Sequence, residues 1–155
     1  MESLQDRYAP ANHCFGCGPA NPRGLKIKSR PSGGALGELV AEWRPEAHHE
    51  AFDGVVNGGI LGTLLDCHSN WTAAYYLLTT RSLDRLPCTV TSDFHVTLKR
   101  PTPSDATLVL RAHVVEAEGD RAVVEATVEA NGKITATCHG VFVAVREGHP
   151  AYHRW

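Results

Sequence analysis

The stretch that decides the fold runs from His49 to Leu78 and reads HEAFDGVVNGGILGTLLDCHSNWTAAYYLL. It opens with a glycine-rich loop and continues without proline, so we predict a long helix after the loop. At about 100° per residue, one helix face is bulky and largely apolar: Leu61, Leu64, His68, Trp71 and Tyr75. The other face is small and polar: Gly59, Gly62, Thr63, Asp66, Ser69, Asn70 and Ala73.

Asp66 is the only acidic or basic residue, histidine aside, between Gly54 and Leu78. A helix side that faces solvent normally carries several lysines and glutamates, so we expect this helix to be buried all round. A lone buried carboxylate is costly unless it is paired or has a chemical role. Asp66 is therefore the first candidate functional residue, and the structural alternative is an acid capped by Ser69 or Asn70.

The composition predicts one domain. A chain of 155 residues with 43% hydrophobic content can bury a sizeable core. We divide residues 1–155 into an N-terminal arm (1–25), a core (about 26–146) and a C-terminal tail (147–155).

The net charge of -2, without a basic stripe, indicates no nucleic-acid partner. No apolar run reaches the roughly 18 residues of a membrane span. Five cysteines without a signal peptide indicate reduced thiols in the cytoplasm.

Period-two patterns on both sides of the helix predict a sheet. Residues 1–13 predict a short arm or helix over the surface, and Cys14–Leu25 a compact, turn-rich segment. Asn131-Gly132 is the strongest short hairpin signal available. The predicted strands are Lys26–Ser29, Leu36–Arg44, Cys88–Arg100, Ala106–Glu116, Arg121–Ala130 and Lys133–Val145. The fold class is therefore α+β, an antiparallel sheet wrapped around one long central helix.

Two ordered motifs carry a resemblance to a known family. The first is His49-x4-Gly54-x2-Asn57-Gly58-Gly59-x6-Asp66, followed by Leu98-Lys99-Arg100-Pro101. The second is Cys14-x2-Cys17-Gly18-x2-Asn21-Pro22-x-Gly24-Leu25. Together they cover roughly residues 14–145 and resemble hot-dog-fold acyl-CoA thioesterases of the phenylacetyl-CoA type. The resemblance implies a hot-dog fold, hydrolysis of a small or medium acyl-CoA, and a homodimer or homotetramer. It also implies that the loop of one subunit faces the carboxylate of the other.

The chemistry of thioester hydrolysis assigns roles to these positions. The Gly58 and Gly59 amides at a helix start can donate to a developing oxyanion, beside Asn57. Asp66 acts either as a general base on water or as a nucleophile that forms a mixed anhydride, and the sequence leaves both open. By resemblance, Lys99 and Arg100 hold the CoA phosphates. The other candidate substrate-binding residues are His49, Gly58, Ser69 and Asn70. No cofactor is expected.

The family pattern is not complete. Asn57 stands where most members have histidine, and Ala51 where glycine is common. Asparagine orients a carbonyl or a water but does not titrate near neutral pH. This substitution favours, as the alternative, a non-catalytic acyl-CoA-binding hot-dog protein. A hydratase is the weaker alternative, since it would pair an aspartate with a histidine about five residues later.

The Cys14-x2-Cys17 pair raises the question of a zinc site. Zinc needs about four ligands, and no second Cys-x-x-Cys is present. The residues that could in principle complete a site are His13, His48, His49, His68 and Cys67. We expect no zinc and no Cys14–Cys17 disulfide. Cys67, beside Asp66, suggests a thiol nucleophile, but we expect its side chain to point elsewhere, into the core.

Overall fold

The computed structural model describes residues 1–153, so the last two residues of the predicted tail lie outside the described residues. Its regular elements comprise two helices and eight strands within this range, joined by turns and one short 3-10 segment. In chain order they are α1 (Leu4–Tyr8), β1 (Arg30–Pro31), β2 (Leu39–Trp43), the 3-10 segment (Ala47–His49), β3 (Glu50–Phe52), β4 (Val55–Val56), α2 (Gly58–Thr80), β5 (Thr89–Leu98), β6 (Leu108–Glu118), β7 (Arg121–Ala130) and β8 (Lys133–Ala144).

One antiparallel sheet contains six of the strands, in the order β1-β2-β6-β7-β8-β5. Strands β3 and β4 form a separate hairpin just before α2. Helix α2 packs across β5, β6, β7 and β8, and the predicted α+β hot-dog architecture is confirmed. No helix in residues 1–153 has the length and apolar character needed to span a membrane.

The long strands are joined where the sequence placed the turns. Asn131 and Gly132 have φ values of 50° and 74°, the left-handed conformation that a type I′ hairpin requires at both central positions. The turn between β6 and β7 has a positive φ at Gly119, where glycine carries little steric cost. Both hairpins pair β7 with its neighbours along its whole length.

The two faces of α2 differ in burial. The bulky face is in the core, with Leu64 fully buried and Trp71 only 2% exposed. The expectation of burial all round is wrong for this chain, because Gly59 is exposed and Asp66 is half-buried. Other half-buried positions on the small polar face are Gly62, Thr63 and Asn70. A small, polar stripe of the helix is therefore open.

The N-terminal region differs from its prediction. Helix α1 is part of the core, since Gln5 is fully buried and bonded to Ser29. The Ser29 hydroxyl in turn lies 2.9 Å from Nδ1 of the fully buried His68. The polar composition predicted a short arm or helix over the surface. The sequence does not show that these polar groups form hydrogen bonds with one another, which allows them to be buried.

The first predicted strands are also shorter than expected. Residues Lys26–Ser29 form no strand, because Lys26 has a positive φ of 53° and pairing begins only at Arg30. Leu36 is 70% exposed, and the second strand begins at Leu39 instead.

Candidate active site

Asp66 lies about two turns into α2, opposite strand β5. The Thr91 hydroxyl on β5 donates a 2.6 Å hydrogen bond to Asp66 Oδ1. Burial raises the pKa of Asp66; the hydrogen bond from Thr91 opposes this, and the nearby Cys14 adds to it. A carboxylate with a raised pKa is better matched to accepting a proton near neutral pH. Its hydrogen-bond partner is Thr91, and not Ser69 or Asn70 as the structural alternative supposed.

Asn57 caps the N-terminus of α2. Its Oδ1 accepts hydrogen bonds from the Gly59 amide at 2.8 Å and the Ile60 amide at 3.3 Å. Because both partners are hydrogen-bond donors, the side-chain oxygen Oδ1 must face the helix. The amide nitrogen Nδ2 of the same side chain therefore takes no part in the cap. The cap occupies the Gly59 amide, which contradicts the oxyanion role expected for it. The Gly58 amide has no acceptor within residues 1–153.

The start of α2 and the end of β5 share a cavity of about 420 Å³. Gly58 lies in its wall close to Leu98, where a Cβ would come within 2.9 Å of the leucine Cδ1. Lys99 and Arg100 follow directly and are both exposed. Their backbone amides donate to the Thr135 carbonyl, at 2.8 and 3.2 Å, and this fixes the chain after the strand. The basic pair and the free Gly58 amide therefore border one cavity.

Asp66 belongs to a second cavity, of about 340 Å³. Its walls come from the N-terminal segment and from α2: Asn12, His13, Cys14, Cys17, Asp66, Cys67, Asn70 and Trp71. Asp66 is eight positions after Gly58, which is roughly 12 Å of helix rise. One chain therefore does not bring the Gly58 amide and the Asp66 carboxylate to the same small acyl group.

His49 is buried within the loop before α2. Its Nδ1 accepts a 2.9 Å hydrogen bond from the Glu46 amide, and its ring lies 4.9 Å from that of Trp43. The His49 carbonyl accepts from the Asn57 amide at 2.9 Å. These contacts fix the position of the helix start, so they give His49 a structural role in the loop before α2, and its substrate-binding role stays a prediction.

Ser69 and Asn70 have different surroundings. Ser69 is fully buried beside the Cys138 thiol, so the structure does not place it where a substrate can reach it in this chain. Asn70 lies in the Asp66 cavity, but its amide group is bonded to Thr89 on β5 through both nitrogen and oxygen. Of these two predicted substrate-binding residues, only Asn70 lines the cavity that contains Asp66.

Two features of the site were not found from the sequence. Thr91 is 25 positions from Asp66, and only the register of β5 against the helix brings them together. Cys67 packs against the hydrophobic core, as expected, but the sequence did not show that its Sγ lies 3.8 Å from that of Cys14. The signal was the glycine at position 16, which leaves room for the helix sulfur against the N-terminal loop.

Comparison with known proteins identifies the class. The sequence profile of the thioesterase superfamily matches residues 53–137, which is more than half of the chain. The chain therefore belongs to the thioesterase superfamily, in agreement with its hot-dog fold. No curated protein sequence matches it.

Solved structures support the same assignment. A thioesterase superfamily protein from Shewanella loihica is 26% identical, with a TM-score of 0.68 over 92% of this chain and 100% of that one. A phenylacetic acid degradation-related protein from Ralstonia eutropha is 21% identical, with a TM-score of 0.65 over 77% and 86%. A hypothetical thioesterase from Streptococcus pneumoniae, solved with coenzyme A, is 14% identical, with a TM-score of 0.64 over 77% and 85%. The chain spans 63% of the length of a further superfamily protein, at 20% identity and a TM-score of 0.69 over 84% of this chain.

Proposed function

We propose that this protein is an acyl-CoA thioesterase that hydrolyses a small or medium acyl-CoA at a site shared between two subunits. The observation that carries the proposal is the half-buried Asp66 carboxylate, held by Thr91 on a cavity wall. Membership of the thioesterase superfamily gives the reaction class. The coenzyme A in the Streptococcus pneumoniae relative supports a CoA thioester as the substrate.

The shared site follows from the separation of its parts. Asp66 of one subunit would face the start of α2, at Asn57 and Gly58, in the other subunit. This arrangement is needed because a single chain does not bring Asp66 and the start of its own helix to the same acyl group. Strand β5 is at the edge of the sheet, and an unpaired edge strand is a common site of association. Phe94 and Leu98 on this strand are 40% and 56% exposed. These features favour a homodimer, which two dimers can extend to a homotetramer.

In the proposed reaction, the thioester carbonyl oxygen lies against the Gly58 amide and the Asn57 Nδ2 group. As general base, Asp66 takes a proton from water while the oxygen of that water attacks the carbonyl carbon. The two donors stabilise the oxyanion. The intermediate then collapses, the carbon–sulfur bond breaks, and the proton passes from Asp66 to the leaving CoA thiolate. Direct attack by Asp66 with a mixed anhydride remains the second route, and both routes need the ionised carboxylate.

Substrate binding is assigned to the cavity bordered by Lys99 and Arg100. Two exposed cations at the end of a strand suit the phosphates of CoA.

All five cysteines are free thiols, which suits the cytoplasm, where acyl-CoA is made and used and thiols stay reduced.

The test is release of free CoA from a panel of acyl-CoA esters, followed with a thiol reagent. Turnover of at least one small or medium acyl-CoA is expected. The second candidate is an acyl-CoA-binding protein without turnover, favoured by the cap that occupies the Gly59 amide. Tight binding across the panel with no thiol release would establish that candidate instead.

A further inference from the structure

Three thiols from two distant parts of the sequence meet beside the Asp66 cavity. Cys14 and Cys17 are in the turn-rich N-terminal segment, and Cys67 is on α2. Their Sγ atoms all lie within 4.8 Å of one another, and the Cys14–Cys67 separation is 3.8 Å. Thiolates bound to zinc at about 2.3 Å are roughly 3.8 Å apart in a tetrahedron. A disulfide would need about 2.0 Å, so the three thiols are not bonded to one another, and the Cys14–Cys67 separation matches that of two zinc-bound thiolates.

Neighbouring N–H groups already face these sulfur atoms. The backbone amides of Cys17 and Gly16 lie next to the Cys14 sulfur. The indole nitrogen of Trp71 donates to Cys17 Sγ at 3.3 Å. Donors of this kind orient metal-bound ligands and stabilise the negative charge of a thiolate. The N–H groups around the N-terminal turn are therefore placed to stabilise thiolates at Cys14 and Cys17.

Glycine is required at two positions for this approach. A Cβ on Gly16 would lie 2.4 Å from Cys67 Sγ, so any side chain there would push the helix thiol away. A Cβ on Gly18 would lie 2.4 Å from the Cys14 backbone nitrogen and would open the turn. The two glycines let the Cys14–Cys17 turn lie directly on α2.

We propose that Cys14, Cys17 and Cys67 bind one Zn²⁺ ion as thiolates, with the fourth coordination position open to the cavity that contains Asp66. Soft thiolate ligands suit zinc. The ion would fasten the N-terminal segment to the central helix, and a water or a substrate thiol can take the remaining position. The sequence argued against zinc because no second Cys-x-x-Cys is present, but the fold brings Cys67 to the pair as a third ligand.

The test starts with the reduced, full-length protein handled without oxygen. The protein is incubated with one equivalent of zinc in the presence of a weak chromogenic chelator, desalted and analysed for metal. About one zinc per chain is expected, as for other cysteine-rich sites. Cobalt in place of zinc should give the thiolate charge-transfer bands of a tetrahedral site. The number of thiols protected from a thiol reagent by zinc should be three.

Matched variants locate the ion. Cys67→Ser should weaken zinc binding by more than the ~10–100-fold that is typical of losing a second-shell partner. Cys88→Ser is the control, because Cys88 is a buried free thiol outside the cluster, and it should retain one zinc. If Cys67→Ser does not fold, the cobalt spectrum and thiol protection of the wild-type protein still decide the question. Wild-type protein that gives no zinc and no cobalt charge-transfer band would overturn the proposal. So would unchanged zinc binding by folded Cys67→Ser, or a Cys14–Cys67 disulfide that forms in air despite added zinc.

Discussion

The Thr91 hydroxyl donates a 2.6 Å hydrogen bond to Oδ1 of Asp66, and this bond joins the edge strand β5 to the central helix. It fixes one oxygen of the carboxylate. The other oxygen, Oδ2, receives no hydrogen bond from any residue of the described range 1–153. Asp66 thus has one oxygen held in place and one available to a water or a thioester, as a base or a nucleophile requires.

Asp66→Asn should abolish most of the turnover while leaving the fold intact. The substitution keeps the shape and the contact with Thr91 but removes the base, so we expect a loss of about 10²-fold or more. Acyl-CoA affinity should change little, because Lys99 and Arg100, the basic pair proposed to bind the CoA phosphates, border the other cavity. Thiol release, ligand affinity and melting temperature should be measured on one preparation. Near wild-type turnover in a folded variant would show that Asp66 is a structural acid.

Asn57 allows its capping and catalytic roles to be separated. Asn57→Asp and Asn57→Ser keep an oxygen for the helix cap but lose the amide donor, whereas Asn57→Ala loses both. We expect the first two to melt close to the wild type and to turn over acyl-CoA slowly. The alanine variant should be slow as well, and less stable by about 1 kcal/mol.

Thermal unfolding and thiol release on the three variants check this prediction. If the aspartate and serine variants retain full turnover, Asn57 is a helix cap alone. The oxyanion donor would then be sought in the Gly58 amide.

The sequence was sufficient where local chemistry decides the structure. The Asn131-Gly132 turn and the long proline-free helical pattern are encoded by neighbouring residues, and both are confirmed. It was insufficient at the N-terminus, where Gln5 is polar by composition but buried by its bond to Ser29. Burial of a polar residue depends on a partner that is distant in sequence, so no local pattern predicts it.

The same distinction holds in the site. The position of Asp66 on the helix and the glycine loop could be predicted from spacing. The hydrogen bond from Thr91 could not, because it depends on strand register across 25 positions. The capture of the Gly59 amide by Asn57 is local, however, and asparagine directly before a helix is a strong N-cap signal. It was missed because the amide was assigned to the substrate first.

Replacing the basic pair should affect binding more than chemistry. Lys99→Ala with Arg100→Ala removes two exposed cations from the cavity next to Gly58, so KM for acyl-CoA should rise while kcat changes little. Loss of contacts made equally in the ground and transition states has this signature. The wild-type protein should also lose affinity as salt is added, because exposed charges are screened.

A matched substrate provides the control for the pair. A short thioester without the CoA nucleotide should be hydrolysed equally by the wild type and by the double variant. An equal rise in KM for both substrates would mean that the pair shapes the cavity and does not bind phosphate.

The shared site makes a prediction that a single-chain site does not. We expect sedimentation at micromolar concentration to show a homodimer or larger. Asp66→Asn and Asn57→Ala should each be nearly inactive, but co-expression of the two lets mixed dimers form. In a two-fold symmetric dimer, one of the two sites in each mixed dimer receives both wild-type residues, so about a quarter of all sites should recover. A site contained within one chain would recover nothing, because every chain carries a defect.

The co-expressed mixture is compared with the two variants purified separately and mixed on ice, where subunit exchange is slow. A monomer, or co-expressed protein with no more activity than the separate variants, would rule out the composite arrangement of Asp66 with the partner's Asn57.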